Sequence, residues 1–522
     1  VLFTNAYTNC PVCNPSRASM WSGKYPNYAD CWNNHEGLNE GTPTYQDTFE
    51  SSGYQTAAIG PIDYAYGKHS IRDRIGSWTR AANIRRPLCR TTLPQVVDNG
   101  QANGRDWERT YQAIHQLHQF TNSDRPFWLY LTTGLVHPAF TAEKRHMHLI
   151  NENEIDIPST LMPLEASHNE AIAYQRITKN CDKQFSENLV HQIRHTYFAM
   201  IAALDDMVGR VLQTVDDLGM RDNTYVIFSS DHGEMAGDQN QVLKRSMYEA
   251  SSHVPLIVRG PDVQKGKTID TPVSLVDLYP TFMDMAEINY AHFANRSGYP
   301  EALDGESFLP QLAGTGKRQR DWAMCEYHGD RCASGTFMLR QGDWKYIPSL
   351  GSGGFSSPRR EKPKPGGPKG QLYNLDADIG ETENLWLKEP GVVEELEKQV
   401  ARQNASGRTR PPMVKVRNLL KKSAQITTHR LNAEQSDKKF LFHTVSRDGH
   451  TLKGKTAIRL RDLLVTDADS TTRHNEKLHF DPGILLRFNI GEREVQVAIC
   501  FICNHWALYL IGETVSYTSL KE

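Results

Sequence analysis

The sequence predicts an α/β protein with its functional groups gathered at the C-terminal edge of a sheet. Strand-like apolar runs alternate with segments of helical spacing between residues 44 and 286. Polar clusters holding His137 and Asp231-His232 directly follow two of those runs, where open α/β sheets carry their sites. Beyond about Asp321 paired strands replace the alternation, so a smaller second region is expected there.

Val1-Leu2-Phe3 has the character of a strand end. The chain starts in mid-pattern with no initiator Met, so a preceding N-terminal segment is expected. Cys13, two residues before Pro15, stands at an expected helix start, whose positive field lowers a thiol pKa and suits anions. The plainer alternative is a buried Cys13 or a disulfide to Cys10. A short helix is expected over Thr44 to Gly53, followed by the apolar run Thr56 to Ile59. From Asp106 to Phe120 the apolar positions Trp107, Tyr111, Ile114, Leu117 and Phe120 keep helical spacing. Pro126 to Thr132 reads as a buried strand, and Asn188 to Gly219 as the clearest helix, with Gly219 as its C-cap. Thr224 to Ser229 and Val254 to Val258 are expected strands, and Val273 to Ala286 a helix carrying Pro280.

Farther on, Thr336 to Arg340 and Trp344 to Ile347 flank Gln341-Gly-Asp as a hairpin. Ser349 to Gly370 is a basic Gly/Pro/Ser-rich loop, more simply solvated than bound to an anionic polymer. Gln371 to Leu375 resumes as a strand, and Val392 to Gln403 is a polar helix. After about Thr409 no pattern can be placed, except that Val497 to Ile511 suits a buried strand pair or a helix.

The 522 residues, 39% hydrophobic, can hold two or three domains with a large core. A net charge of -2 gives no global bias toward nucleic acid or membrane surfaces. No apolar run reaches the ~18 residues of a membrane span. The nine Cys are scattered, and the CxxC pairs Cys10/Cys13 and Cys500/Cys503 have no second pair nearby, which argues against zinc. The odd count leaves at least one Cys outside intramolecular pairing. Asn295-Arg-Ser and Asn404-Ala-Ser are glycosylation sequons, a pattern that also arises by chance.

Several residues are candidates for chemistry, each with a plainer reading. Asp231-His232 can reach a divalent cation, or can be an N-cap with a surface histidine. His137 can act as a general acid, although a lone histidine is more often structural. Lys244 can clamp an anion, although lysines default to the surface. His168, before Thr178-Lys-Asn-Cys181, and His69 have nothing local to recommend them.

Taken in order, these features stop being independent. Cys13-x-Pro15-Ser16-Arg17 with Gly23 six residues on, His137-Pro138, Ser230-Asp231-His232-Gly233, Lys244 and Ser246-Met-Tyr-Glu-Ala-Ser-Ser-His-Val-Pro255 resemble the sulfatase family. Asn5-Ala-Tyr-Thr-Asn9, Thr178 to Cys181, Ser274 to Thr281 and Trp344 to Ile347 extend the resemblance, which runs to about Gln403. It implies an alkaline phosphatase-like α/β/α sandwich with a smaller C-terminal antiparallel-sheet domain. On that reading residues 1–320 are the catalytic domain, 321–408 the C-terminal subdomain and 409–522 an unassigned tail.

The resemblance also implies roles. Cys13 becomes formylglycine, made by the formylglycine-generating enzyme, and its geminal diol is the nucleophile and a metal ligand. Arg17 steadies that diol. Asp231 and His232 are calcium ligands, His232 standing where many relatives have Asn. His137 contacts sulfate or protonates the leaving oxygen, Lys244 binds sulfate, and His168 contacts substrate. The implied substrate is a sulfated saccharide, with the 2-O-sulfate of a glycosaminoglycan uronate as the site of attack. The implied location is lysosomal or secreted, with no nucleic-acid partner and no membrane span.

Two departures stand out. The family's first aspartates would lie before Val1 and are absent, so weak calcium binding is expected. Pro61, in Gly60-Pro61-Ile62-Asp63-Tyr64, stands where the most similar pattern has a Lys. These departures motivate one rival, a degenerate sulfatase that binds anionic saccharide without turnover. A second rival is a phosphodiesterase of the same superfamily, against which the Cys-x-Pro-Ser-Arg context argues.

Overall fold

In the computed structural model, the described residues are 1–29, 31, 34, 37–38, 41–62, 93–161, 170–294, 302–327, 336–348 and 370–405, with eight strands between 426 and 519. The expected basic loop 349–369, the first sequon, His69 and His168 lie outside them. Two compact units divide the described residues at about 394/395.

The first unit is built on short strands whose ends converge. β1 (Leu2–Phe3) pairs in parallel with β9 (Thr268–Ile269) and antiparallel with β8 (Leu256–Arg259), which pairs antiparallel with β7 (Val226–Ser229). Three parallel pairs accompany this sheet: β2 (Ala6–Tyr7) with β10 (Val273–Ser274), β3 (Gln55–Ile59) with β5 (Phe127–Leu131), and β4 (Gln95–Val97) with β6 (Thr141–Glu143). A separate four-stranded antiparallel sheet follows the order β11 (Trp322–Tyr327), β12 (Thr336–Gln341), β13 (Trp344–Pro348), β14 (Gly370–Asn374). It contains the expected hairpin and the strand expected from Gln371.

Local chemistry accounts for the helices. Thr44 and Asp47 form a capping box at the start of the helix Tyr45–Ser51. The Ser186 hydroxyl accepts from Leu189 N at 3.2 Å to start the 31-residue helix Glu187–Asp217, and Gly219 follows its end at φ 68°. The helix Gly104–Phe120 is rotated from its expected face: Thr110, Ala113, Leu117 and Phe120 are buried, while Tyr111 is exposed. The cause is Asp106, turned inward to accept from Gly134 N at 2.7 Å and Leu135 N at 3.0 Å.

Two further expectations are corrected. Val273 to Ala286 is not one helix but β10, a 3-10 turn over Leu275–Asp277 and a helix over Leu278–Met285. A Ser274–Asp277 capping box breaks the run, and Pro280 sits in the first helical turn, where its missing N–H costs nothing. The strand expected from Pro126 is half-buried rather than buried. Trp128 and Tyr130 meet Trp21 at 5.5 and 4.9 Å between ring centroids, and Phe127 stacks on Phe120 at 4.9 Å. Around Trp21 the core gathers Phe3, Tyr45, Leu256 and Tyr279.

In the second unit, the stretch after Thr409 that offered no readable pattern holds an antiparallel sheet. Its strand order is Lys439–Phe440, His443–Val445, Ile426–Asn432, Ile484–Ile490, Arg493–Cys500, His505–Leu510 and Glu513–Ser519. Val497 to Ile511 is therefore a strand pair, with Val497 opposite Leu508. Among the described residues no helix is long and apolar enough to cross a membrane.

One buried carboxylate locks the strand-to-helix turn after β10. Asp277 accepts from Ser274 N at 2.8 Å and Glu306 N at 3.0 Å, and pairs with Arg318 at 2.8 Å and with Arg320. Burial acts to raise its pKa, but the two guanidinium charges outweigh burial and hold it below the usual carboxylate range. The stabilisation from this group is therefore present at neutral pH and lost as pH falls through the depressed value. Asp277→Ala, which takes the closest carboxylate from two buried guanidiniums and leaves Arg318 only Glu306 at 3.8 Å, should cost about 3–5 kcal/mol by urea unfolding at pH 7. An unchanged midpoint would refute the account of this turn.

Candidate active site

The site begins where β2 ends. The chain turns through Thr8 to Val12, with Val12 extended at φ -154°, and enters the helix Cys13–Ser22 at Cys13. Thr8 Oγ1 and Ser16 Oγ both reach the Asp231 carbonyl at 2.6 Å, which fastens the segment after β7 to the start of this helix. Gly23 closes the helix at φ 68°, and a Cβ there would lie 2.7 Å from Leu303 and 2.8 Å from Tyr279. That close approach explains the glycine six residues after Arg17.

Arg17 lies one turn beyond Cys13 on the same helix face. Its Nε donates to Asp231 Oδ2 at 2.9 Å, and its Nη1 donates to the Pro61 carbonyl at 3.0 Å, Tyr130 Oη at 3.0 Å and Thr132 Oγ1 at 3.2 Å. Gly60 lets the chains come this close: at φ 98°, a Cβ there would sit 2.1 Å from the Thr132 carbonyl oxygen.

Around Cys13 stand three nitrogen groups. Lys244 Nζ donates to Cys13 Sγ at 3.1 Å and to His137 Nε2 at 2.6 Å. His137 Nδ1 donates to the Pro138 carbonyl at 2.5 Å, which leaves Nε2 as the acceptor. His232 Nδ1 donates to the Gly233 carbonyl at 2.9 Å, so its Nε2 faces Cys13 Sγ at 3.3 Å. Asp231 Oδ1 is 3.6 Å from His232 Nε2.

This surrounding charge decides protonation. Burial acts to raise the Cys13 pKa, but the His232 hydrogen bond and charge, followed by the Lys244 charge, outweigh it and bring the thiol to about 6. Asp231 is buried too, yet His232, Arg17 and Lys244 lower it to about 2. His137 is lowered to about 4, first by burial and then by Lys244.

Six of the candidates read from the sequence thus meet at one point: Cys13, Arg17, His137, Asp231, His232 and Lys244. No disulfide joins Cys13 to Cys10, and the Cys13 thiol is free, so the disulfide alternative is not realised. Sequence reasoning missed Tyr130 and Thr132, which share the Arg17 guanidinium, and Asp106, which holds the Gly134–Leu135 turn before His137. Thr132 carried the same signal as Asp231, a polar residue just after an apolar strand. Asp106 carried none beyond its place in a first helical turn.

Cys13, Asp231 and His232 bring three ligand atoms within 4.8 Å of one another. A carboxylate, an imidazole and the position-13 atom fit a divalent cation as part of a shell. Calcium takes six to eight oxygens, so among the described residues this set supplies only a portion of a calcium site.

The sulfatase family model matches residues 1–288, more than half of the chain. The chain belongs to the sulfatase family and is a sulfuric ester hydrolase of the alkaline phosphatase-like fold. A second model, N-sulphoglucosamine sulphohydrolase C-terminal, matches residues 237–352.

Among individual proteins, the chain is similar to arylsulfatase K. The rat protein is 35% identical over 456 residues, covering 83% of this chain and 74% of that one. The human protein is 35% identical over 422 residues, covering 76% and 74%. Solved structures of similar fold include a protein in complex with its substrate D-glucosamine-2-N,6-O-disulfate, with a TM-score of 0.57, 19% identity and coverage of 78% of this chain and 91% of that one. A 2-O GAG sulfatase gives a TM-score of 0.54 at 20% identity, with coverage of 77% and 85%. The phosphonate monoester hydrolase of Agrobacterium radiobacter gives a TM-score of 0.58 at 20% identity, with coverage of 78% and 88%.

In protein whose Cys13 is still a thiol, the rate of iodoacetamide alkylation at Cys13 should rise with a midpoint near pH 6 and level off by neutral pH. Lys244→Ala removes a positive charge and should move that midpoint upward. A midpoint at the ordinary thiol value in both proteins would contradict the electrostatics derived for the site.

Proposed function

We propose that this chain removes the 2-O-sulfate of a uronate in glycosaminoglycan saccharides, with formylglycine derived from Cys13 as the nucleophile. The observation that carries the reading is residue 13 at a helix start, within 3.3 Å of His232 and 3.1 Å of Lys244. The arylsulfatase K relatives and the fold shared with a 2-O GAG sulfatase support the substrate class. On this reading maturation uses a formylglycine-generating enzyme, and the enzyme works in lysosomes or outside the cell.

As formylglycine, residue 13 supplies a geminal diol, one hydroxyl attacking sulfur and the other restoring the aldehyde when sulfate leaves. A divalent cation, calcium by family resemblance, would be held by Asp231, His232 and the position-13 oxygen and would supply positive charge to the sulfuryl oxygens. Arg17 keeps Asp231 ionised and fixed. Lys244 donates to a sulfuryl oxygen, where charge develops during transfer. The leaving oxygen needs a proton, and the Lys244–His137 pair holds one between nitrogens 2.6 Å apart. His168 is assigned to substrate contact by family resemblance alone.

Pro61 favours a second reading, a degenerate sulfatase that binds anionic saccharide without efficient turnover. Its carbonyl serves Arg17, but its ring offers no ammonium to the sulfate. One preorganised donor of that kind is worth on the order of 100- to 1,000-fold in rate.

Two measurements test these readings. Mass spectrometry of the Cys13 peptide, from cells that convert a control sulfatase, should show formylglycine; unmodified Cys13 alone would refute the proposed nucleophile. Pro61→Lys keeps the carbonyl that Arg17 uses and adds an ammonium, so it should raise kcat on a 2-sulfated uronate glycoside more than it lowers KM. No change in either constant, with residue 13 converted, would show that the missing donor is not limiting.

A further inference from the structure

Lys244 arrives in the site on a backbone that carries strain. Between Glu234 and Arg245, five non-glycine residues have left-handed φ: Ala236 at 41°, Gln239 at 52°, Asn240 at 52°, Leu243 at 66° and Arg245 at 75°. Such a course persists only where its surroundings over-determine it. The near end is held by Glu234, whose carboxylate accepts from Leu243 N at 2.5 Å and Ala236 N at 3.2 Å, and by Arg245 N donating to the Pro11 carbonyl at 2.9 Å.

The far end is gripped by a segment the mechanism does not use. Asn240 Nδ2 donates to the Cys181 and Lys183 carbonyls at 3.0 and 2.9 Å, and its Oδ1 accepts from Phe185 N at 2.7 Å. Arg176 Nη2 donates to the Gln239 carbonyl at 2.7 Å, and Lys179 Nζ donates to Gln241 Oε1 at 2.8 Å. Asn240 and Gln241 are wholly buried, and Lys179 is 4% exposed. A buried ammonium that hydrogen-bonds a neutral amide, with the Glu234 carboxylate acting on it only through space, is a costly choice for stability alone. Burial, the largest influence, lowers the Lys179 pKa to about 8. Two cations and an amide are thus committed to the shape of one strained loop, and Lys244 lies three residues beyond Gln241.

We propose that Arg176, Lys179 and Asn240 are positioning residues that set the Lys244 ammonium against residue 13 and so tune its grip on the sulfate group. This rests on the reading of Lys244 as a sulfate-binding residue.

The test uses the full chain and inorganic sulfate as the probe, with its Kd measured by calorimetry and kcat/KM measured on an aryl sulfate. Asn240→Gly keeps the left-handed backbone accessible and removes the three side-chain bonds. Lys179→Met removes the buried charge and the bond to Gln241 at nearly constant volume, so relief of the ammonium's desolvation offsets the cost of the unpartnered Gln241 amide. Both variants should weaken sulfate binding and lower kcat/KM by about 10- to 100-fold, the effect of a misplaced group of roughly 1 Å.

Placed in a Lys244→Ala background, the same substitutions should change the sulfate Kd by less than about twofold, because the group they position is gone. A loss of binding by Lys179→Met at an unchanged or raised Tm separates positioning from unfolding. Equal losses in both backgrounds, or a native Kd in Lys179→Met, would overturn the proposal. A native Kd in Lys244→Ala alone would instead overturn the sulfate assignment of Lys244, and the proposal with it.

Discussion

The first unit of the molecule turns on the Arg17–Asp231 pair. Their side chains are only 10% and 13% exposed, so each charge has surrendered most of its water. The pair is tolerable because the planar guanidinium donates from two of its nitrogens: Nε meets Asp231, and Nη1 meets Pro61, Tyr130 and Thr132. Those three lie on or just after β3 and β5, and Asp231 follows β7. A single side chain on the Cys13–Ser22 helix therefore fastens the ends of separate strands. An ammonium could not offer donors along two edges of a rigid plane, so a lysine here would leave part of the set unpartnered.

Charge at the site follows from that clamp. With Asp231 held near a pKa of about 2, a fixed negative charge lies at the centre, and His232 and Lys244 gather beside it and beside residue 13. The His232 and Lys244 charges that bring the thiol to about 6 outweigh its burial and favour a negative group at position 13. His137, lowered to about 4, faces Lys244 as a neutral acceptor, and the two nitrogens hold one proton between them.

The antiparallel sheet reaches this region through a buried triad. Lys345 on β13 pairs with Glu249 at 2.7 Å and Glu381 at 2.8 Å, and Tyr7 on β2 donates to Glu249 at 3.2 Å. That sheet thereby braces the strand leading to Cys13 and the short helix Glu249–Ser252 after the Lys244 loop. Removing either carboxylate would leave a fully buried ammonium short of a partner, a more costly defect than loss of a surface pair.

Much was legible in the sequence because its physical basis is local. The short helix over Thr44 to Gly53, the apolar spacing from Val190 to Leu212 and the capping Gly219 are settled by residues within a few turns of one another. The Cys13 to Gly23 segment was legible for a related reason: helix start, Arg17 one turn on and the closing glycine all belong to one helix. The strand pair within Val497 to Ile511 was half legible, since Val495, Val497 and Ile499 alternate with Glu494, Gln496 and Ala498.

What only the tertiary structure decided depends on contacts between distant residues, which periodicity does not encode. Arg17 meets Thr132 across 115 positions, and Lys244 meets Cys13 across 231. Asp106 turned its helix away from the face that apolar spacing suggested, because two backbone N–H groups from the next strand's end needed an acceptor. Composition alone shows Lys179 as one more lysine. Burial beside Gln241 makes it a support for the loop that carries Lys244, because a charge taken out of water must be answered by the groups the fold brings to it.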